Sequence, residues 1–431
     1  MILKVALAST FFFLSVFALD STEVRLLNYA KKSKSSLVQF VEKIVNINSS
    51  SLNPAGVNKV GTIFKNEFEA LGMKTEVVFL PDSFKRGHHL FATTWAKGKP
   101  AILLIGHLDT VFTKSSPFQS FERKGNIAFG PGVNDMKGGL GVILYALKAL
   151  KREKLLSQMN ITVALMSDEE EIPRSDTEGI SRRKLIELSK SMDVALGFEY
   201  AVESMQKVAI SRRGYRGWEI KVTAKQGHSS KIGSAEYGHG AIIGLSQMLT
   251  RMQQTSLKYS DLTFNPGIIK GGTNVAKGRV EGKNNIIAPI AIASGDIRTL
   301  NPVAEKAMIH LMRSFEKAPF LHSKVKVTFF DSYPPMPPTK KNKELLSFLS
   351  DVSQELGYGK LSAVDPNKRG AADTSFVAPH VPYVLDGLGL LGTGAHSPSE
   401  SIELDKLPVS VGRTAIFLKR IVENKVFSEI K

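Results

Sequence analysis

The run Gly106-His107-Leu108-Asp109-Thr110-Val111 follows directly on the apolar stretch 101–105, so a histidine and a carboxylate stand where a buried strand would end. In an open α/β sheet the carboxyl ends of the strands form the ligand crevice. Residues two apart on extended chain point the same way, which lets Asp109 orient His107 from behind. A single His-x-Asp is weakly specific, because polar loop residues commonly just face water. The arrangement recurs, however. The apolar run 161–166 ends in Ser167-Asp168-Glu169-Glu170-Glu171, the run 194–198 leads into Glu199, and 381–391, interrupted by glycines, leads through Gly392-Thr393-Gly394 to His396. A glycine-rich loop, 130–139, sets Asp135 ahead of the helix-like stretch 140–150. Five segments thus bring histidine or carboxylate to one rim, where so many acids would repel one another without a cation between them.

Two histidines and three carboxylates, in a chain with no cysteine, make a nitrogen and oxygen donor set suited to zinc, with cobalt or manganese at similar sites. Calcium would want more oxygens. One carboxylate shared between two ions fits this inventory and leaves room for water, which a metal makes a usable nucleophile near neutral pH. That is the chemistry of a hydrolase. Spacing alone does not choose between Glu169 and Glu170 as the ligand.

Taken in order, the strings HLDTV, GPGVNDMKGG, SDEEE, GFE and GTGAHS resemble those of the dizinc M20 peptidases, most of all the glutamate carboxypeptidases of the carboxypeptidase G type. The resemblance covers essentially the whole chain after its N-terminal segment. It implies two Zn2+ per subunit, with Asp135 bridging them, His107 and Glu199 completing one site, and Glu170 and His396 the other. It also implies Glu169 as general base and Asp109 as the carboxylate behind His107. Asp168 and Glu171 are left as solvated or structural. His228, in GHSS, matches a family histidine that donates to the oxyanion, and Asn285 and Arg298, in NNII and DIR, match substrate-binding positions. The segment 368–374 resembles a glycine-rich pocket segment, but carries Ala371 and Ala372 where glycines are usual. Tyr333 stands where the glutamate enzymes have a carboxylate-binding arginine, so a preference for glutamate is not implied. Arg298 or Arg369 is the replacement cation, since a guanidinium suits a carboxylate.

The elements that would position these residues form an α/β domain interrupted by an insert. After Glu199 a new pattern begins at Trp218-Glu219-Ile220-Lys221-Val222, followed by helix-like 241–252, strand-like 262–269 and 288–299, helix-like 304–315 and strand-like 324–330. That βαββαβ order predicts a ferredoxin-like α+β unit over 211–332, closed by the proline-rich return 333–338. The zinc-peptidase-like mixed sheet with flanking helices then comprises 19–210 and 333–431. By the resemblance the insert is a lid and homodimerisation surface.

Composition agrees: 431 residues, 42% hydrophobic and 23% charged, describe a globular chain with enough material for two cores. Lys4 before the apolar run 5–17, and small residues near 18, predict a signal peptide over 1–18 and export to the periplasm or medium. No later stretch approaches about 20 apolar residues, so stable membrane insertion is not expected. The net charge of +17 is dispersed and lacks an interleaved aromatic motif, which argues against nucleic acid and for acidic small substrates. The expected reaction is cleavage of an amide bond beside a free carboxylate in a small peptide or N-acyl amino acid. The alternatives are a deacylase or desuccinylase with the same site, and a binding protein that keeps the metals without turnover.

Overall fold

The computed structural model describes residues 19–176, 178–276, 279–317 and 322–427; the signal-peptide reading falls on 1–18, outside them. The central feature is a six-stranded mixed sheet in the order Lys74–Val78, His89–Thr93, Asn160–Met166, Ala101–His107, Val194–Gly197, Tyr383–Leu385. The last four strands are mutually parallel, while His89–Thr93 and Lys74–Val78 pair antiparallel at one edge. The apolar runs are continuous because both faces are covered. Ile102 and Leu104 enter one core with Ile161, Val163 and Leu165, whereas Ala101, Leu103 and Ile105 enter the opposite core with Ala164 and Met166. The helices Lys34–Val45, Pro54–Ala70, Gly138–Arg152 and Lys406–Glu423 supply the first core, and Leu185 of Ile180–Ser189 the second. All four parallel strands therefore end on one rim.

Of the apolar run 381–391 before His396, only a short part is strand of the central sheet. Only Tyr383–Leu385 pairs with it. Asp386 and the glycines at 387 and 389 carry the chain across the sheet end, with Gly387 at φ 76°, and Gly392–Thr393 joins a small separate sheet.

The insert folds as expected from its pattern. Gly214–Ala224, Thr263–Gly272, Ile290–Thr299 and Ser323–Tyr333 form an antiparallel sheet in the order second, third, first, fourth. Gly240–Ser256 and Pro302–Lys317 pack on it around Trp218, Met248, Met308 and Phe315. This core is separate from the two flanking the central sheet. The two connecting segments are tied by a bridge between Arg212 and Met336. No helix among the described residues is long and apolar enough to cross a membrane.

The helix Ser21–Lys32 is tied to the C-terminal helix by charge. Arg420 donates from Nε and Nη2 to Glu23 at 2.7 and 3.0 Å, and a third contact reaches Glu355 at 2.7 Å. Burial would push the Glu23 carboxyl up, but the Arg420 hydrogen bonds hold it below its ordinary value of 4.5. Glu23→Ala should therefore cost about 1–2 kcal/mol in urea unfolding at neutral pH, since it removes two charge-assisted hydrogen bonds and leaves the guanidinium with Glu355 alone. Because the folded carboxyl titrates below the unfolded one, this difference should be complete above that ordinary value and shrink as acid protonates Glu23.

Candidate metal centre

The rim gathers the sequence-predicted residues into two overlapping groups. His107, the last residue of Ala101–His107, lies with Nε2 3.2 Å from Asp135 Oδ1 and 3.5 Å from Glu199 Oε1. His396 lies with Nε2 3.2 Å from Asp135 Oδ2 and 3.2 Å from Glu170 Oε2. In each group the ligand atoms lie within 4.8 Å of one another, as donors around one ion would. Asp135 turns a different oxygen to each group. Glu170 keeps its other oxygen, Oε1, buried with no protein partner. The donor set, two imidazoles and three carboxylates, fits a pair of divalent ions of the zinc type.

Local structure explains the placement. Asp135 sits in the 133–137 turn ahead of the helix Gly138–Arg152, and the Asp135–Met136 peptide is cis. Glu400 holds this turn by accepting from the backbone N–H of Gly132, Asn134 and Asp135 at 3.1, 2.8 and 2.9 Å. His396 takes φ 64°, a left-handed conformation costing about 1–2 kcal/mol for a non-glycine residue. A tight turn in which Ser397 N–H donates to the Gly394 carbonyl holds it there. Asp109 does more than back His107, whose Nδ1 lies 3.4 Å from Oδ1. Its carboxylate also accepts from Ser51 Oγ at 2.6 Å and from the backbone N–H of Glu169 and Glu170 at 3.1 Å each. One buried acid thus orients a ligand and the adjacent dipeptide.

The electrostatics are those of crowded buried acids. Burial, then Asp135, pushes the Glu170 carboxyl up to about 7 and that of Glu199 up to about 8. Burial, with Glu199 and Asp373 nearby, pushes Glu169 well above its ordinary value, against the opposing pull of His107. Hydrogen bonds to Asp135 and Glu170 raise His396 to about 11. Burial opposes charge on His107, yet Asp109 and Asp135 raise it overall. Asp135 itself is lowered, because the two histidines outweigh its burial. Divalent cations would relieve this accumulation of negative charge.

The remaining residues divide between structural and surface positions. Of the two readings left open for Asp168, the structure gives the structural one: it is fully buried, with Arg182 Nη1 at 2.5 Å, and Arg182 Nε reaches Asp373 at 2.6 Å. Glu171 is at the surface, paired with Arg86 at 2.9 Å. His228 and Asn285 come together in the insert: Gly227–His228 pairs with Ile286–Ile287, and Ser229 N–H donates to the Asn285 carbonyl at 2.9 Å. The His228 ring nitrogen Nδ1 contacts Ser230. Arg298 is partly exposed, paired with Asp296 at 3.0 Å and stacked on Tyr215. No recorded contact joins these three residues to the two donor groups. Arg369 is buried beside Tyr200. Sequence reasoning passed over Arg182 and Glu400 and took Asp373 only as part of the 368–374 pocket segment. Of the two passed over, Glu400 had a signal, its position shortly after His396.

The sequence profile of peptidase family M20/M25/M40 matches residues 103–420. Carboxypeptidase G2 of Pseudomonas sp. (strain RS-16) is 28% identical over 387 residues, covering 89% of this chain and 88% of that protein. Succinyl-diaminopimelate desuccinylase of Wolbachia pipientis wMel is 22% identical over 400 residues, covering 90% and 92%. Among solved structures, a dinuclear metal-binding M20 peptidase of Bacillus subtilis superposes with a TM-score of 0.61 at 15% identity, over 91% of this chain and 99% of that one.

Proposed function

The chain belongs to peptidase family M20/M25/M40 and is a metal-dependent peptidase or amidohydrolase, and from that premise we propose that it hydrolyses an amide bond beside a free carboxylate, as a carboxypeptidase with two zinc ions. The observation that carries this reading is Asp135 turning one oxygen to each of two donor groups. Two ions held there by His107, Asp135 and Glu199, and by Asp135, Glu170 and His396, would supply Lewis acidity and lower the pKa of water.

The chain's own residues do the rest. Glu169, adjacent to a ligand but in neither donor group, takes a proton from the attacking water as its oxygen bonds to the carbonyl carbon. When the carbon–nitrogen bond breaks, Glu169 returns that proton to the leaving amine. Asp109 fixes the backbone of Glu169 and holds His107. His228, carried on the insert, donates to the developing oxyanion, with the insert serving as the surface of a homodimer. Asn285 beside it, and Arg298, meet the bound substrate. The protein is exported after cleavage near residue 18, a reading supported by Lys4 and the apolar run behind it.

A second reading, deacylation of an N-acyl amino acid such as a succinylated one, is favoured by the similarity to the desuccinylase and uses the same residues. Zinc-loaded protein assayed on C-terminally blocked and free peptides and on N-acetyl and N-succinyl amino acids separates the two. Turnover should require a free carboxylate, stop on chelation and return with added metal. A metal-loaded protein inactive on the whole panel would leave only the non-catalytic binding alternative.

A further inference from the structure

Three guanidinium nitrogens near Glu199 are buried without a protein partner: Nη2 of Arg212, and Nε and Nη2 of Arg369. Arg212 is 1% exposed. It donates from Nε to Asp386 at 2.7 Å and from Nη1 to the Gly370 carbonyl at 2.8 Å. That second bond fixes the chain next to Arg369, whose guanidinium stacks 4.5 Å above the Tyr200 ring. Tyr200 directly follows Glu199. Arg369 is 6% exposed and makes no ion pair with any described residue. Its Nε and Nη2 form one edge of the planar group, the edge that grips both oxygens of a carboxylate side-on.

The two carboxylates that face this arginine pair, Asp386 and Glu199, both have other engagements. Asp386 is already engaged by Arg212, by Thr374 Oγ1 at 2.5 Å and by the Gly387 N–H at 2.6 Å. Glu199 belongs to the first donor group. Burial first, and the neighbouring Arg212 second, hold Arg369 below its ordinary range, so the guanidinium is unfavourably placed until an anion arrives. Leaving a buried cation unpaired is unfavourable, and an incoming carboxylate would relieve it. Arg298, by contrast, is partly exposed and already paired with Asp296.

We propose that Arg369, backed by Arg212, binds a carboxylate of the substrate beside Glu199, so that the substrate's negative group is read by the catalytic unit. This rests on the hydrolase reading above. The carboxylate has two sources, the amino-acid end of the substrate or a dicarboxylic acyl group.

The test uses full-length, metal-loaded protein and N-acetyl and N-succinyl amino acids, each paired with a carboxamide replacing one carboxylate. In the wild type kcat/KM should favour the carboxylate by about 10²-fold at one end. In Arg369→Gln that ratio should collapse towards unity at the same end with both metals retained, and the end affected names the source. Arg369→Lys keeps the charge without the fork and should fall between, which preserves the test if the glutamine variant fails to fold. An undiminished ratio in either folded variant overturns the proposal. Calorimetric titration of succinate into the same proteins reads binding without turnover: about tenfold weaker binding in the variants is expected, and equal affinity also overturns it. A wild type that hydrolyses nothing on the panel would defeat the hydrolase reading, while the titration would still decide Arg369.

Discussion

Glu169→Gln should lower kcat by about 10³- to 10⁴-fold while metal content stays at two ions per chain, because the change removes the proton acceptor and none of the donor atoms of either group. The substitution is nearly isosteric. The backbone N–H of residue 169 would still donate to Asp109, and its carbonyl would still accept from Tyr333, so the segment has no reason to move. Glu170→Gln provides the contrast. It alters a donor beside His396 and should weaken one ion, so activity in that variant should recover in part with excess metal. The glutamine at 169 should not be rescued in this way. Near wild-type kcat in metal-replete Glu169→Gln would remove the residue from the mechanism.

Asp135→Ala should empty both positions together. Each oxygen of Asp135 faces one histidine, so its loss leaves each group with a single imidazole and a single carboxylate. Metal analysis after dialysis should find nearly none in this variant and about one ion in His396→Ala, with turnover at background in the first case. Retention of two ions in Asp135→Ala would exclude the shared-carboxylate arrangement. The protein should also unfold at lower temperature than metal-loaded wild type, since ions that bind only the folded chain stabilise it by mass action.

The parts of the site visible in the sequence are those governed by local rules. His107 and Glu199 stand at the ends of buried runs, and Asp135 lies in a glycine-rich turn just before an apolar helix. The insert was legible because its strands and helices alternate in a βαββαβ order whose apolar faces close on one another in a small α+β unit. What stayed hidden depends on pairing across the chain. Arg182 meets Asp373 191 residues away, and Arg212 meets Asp386 174 residues away, so no window of sequence contains both partners. Asp168, one of three acids flanking Glu169, was indistinguishable from surface charge until Arg182 was found against it. The apolar run before His396 extends beyond its strand for a related reason. Apolar residues at 388 and 390 belong to the core without belonging to the sheet.

Tyr333, one residue past the expected end of the insert, closes its last strand, and its hydroxyl donates to the Glu169 carbonyl at 2.5 Å. The insert is therefore hydrogen-bonded to the backbone of the proposed base right beside the chain crossings at 211–213 and 334–336. Swinging it outward would either break that bond or drag the 169–170 backbone with it. Any displacement of the insert is thus felt first at the backbone that carries the proton acceptor.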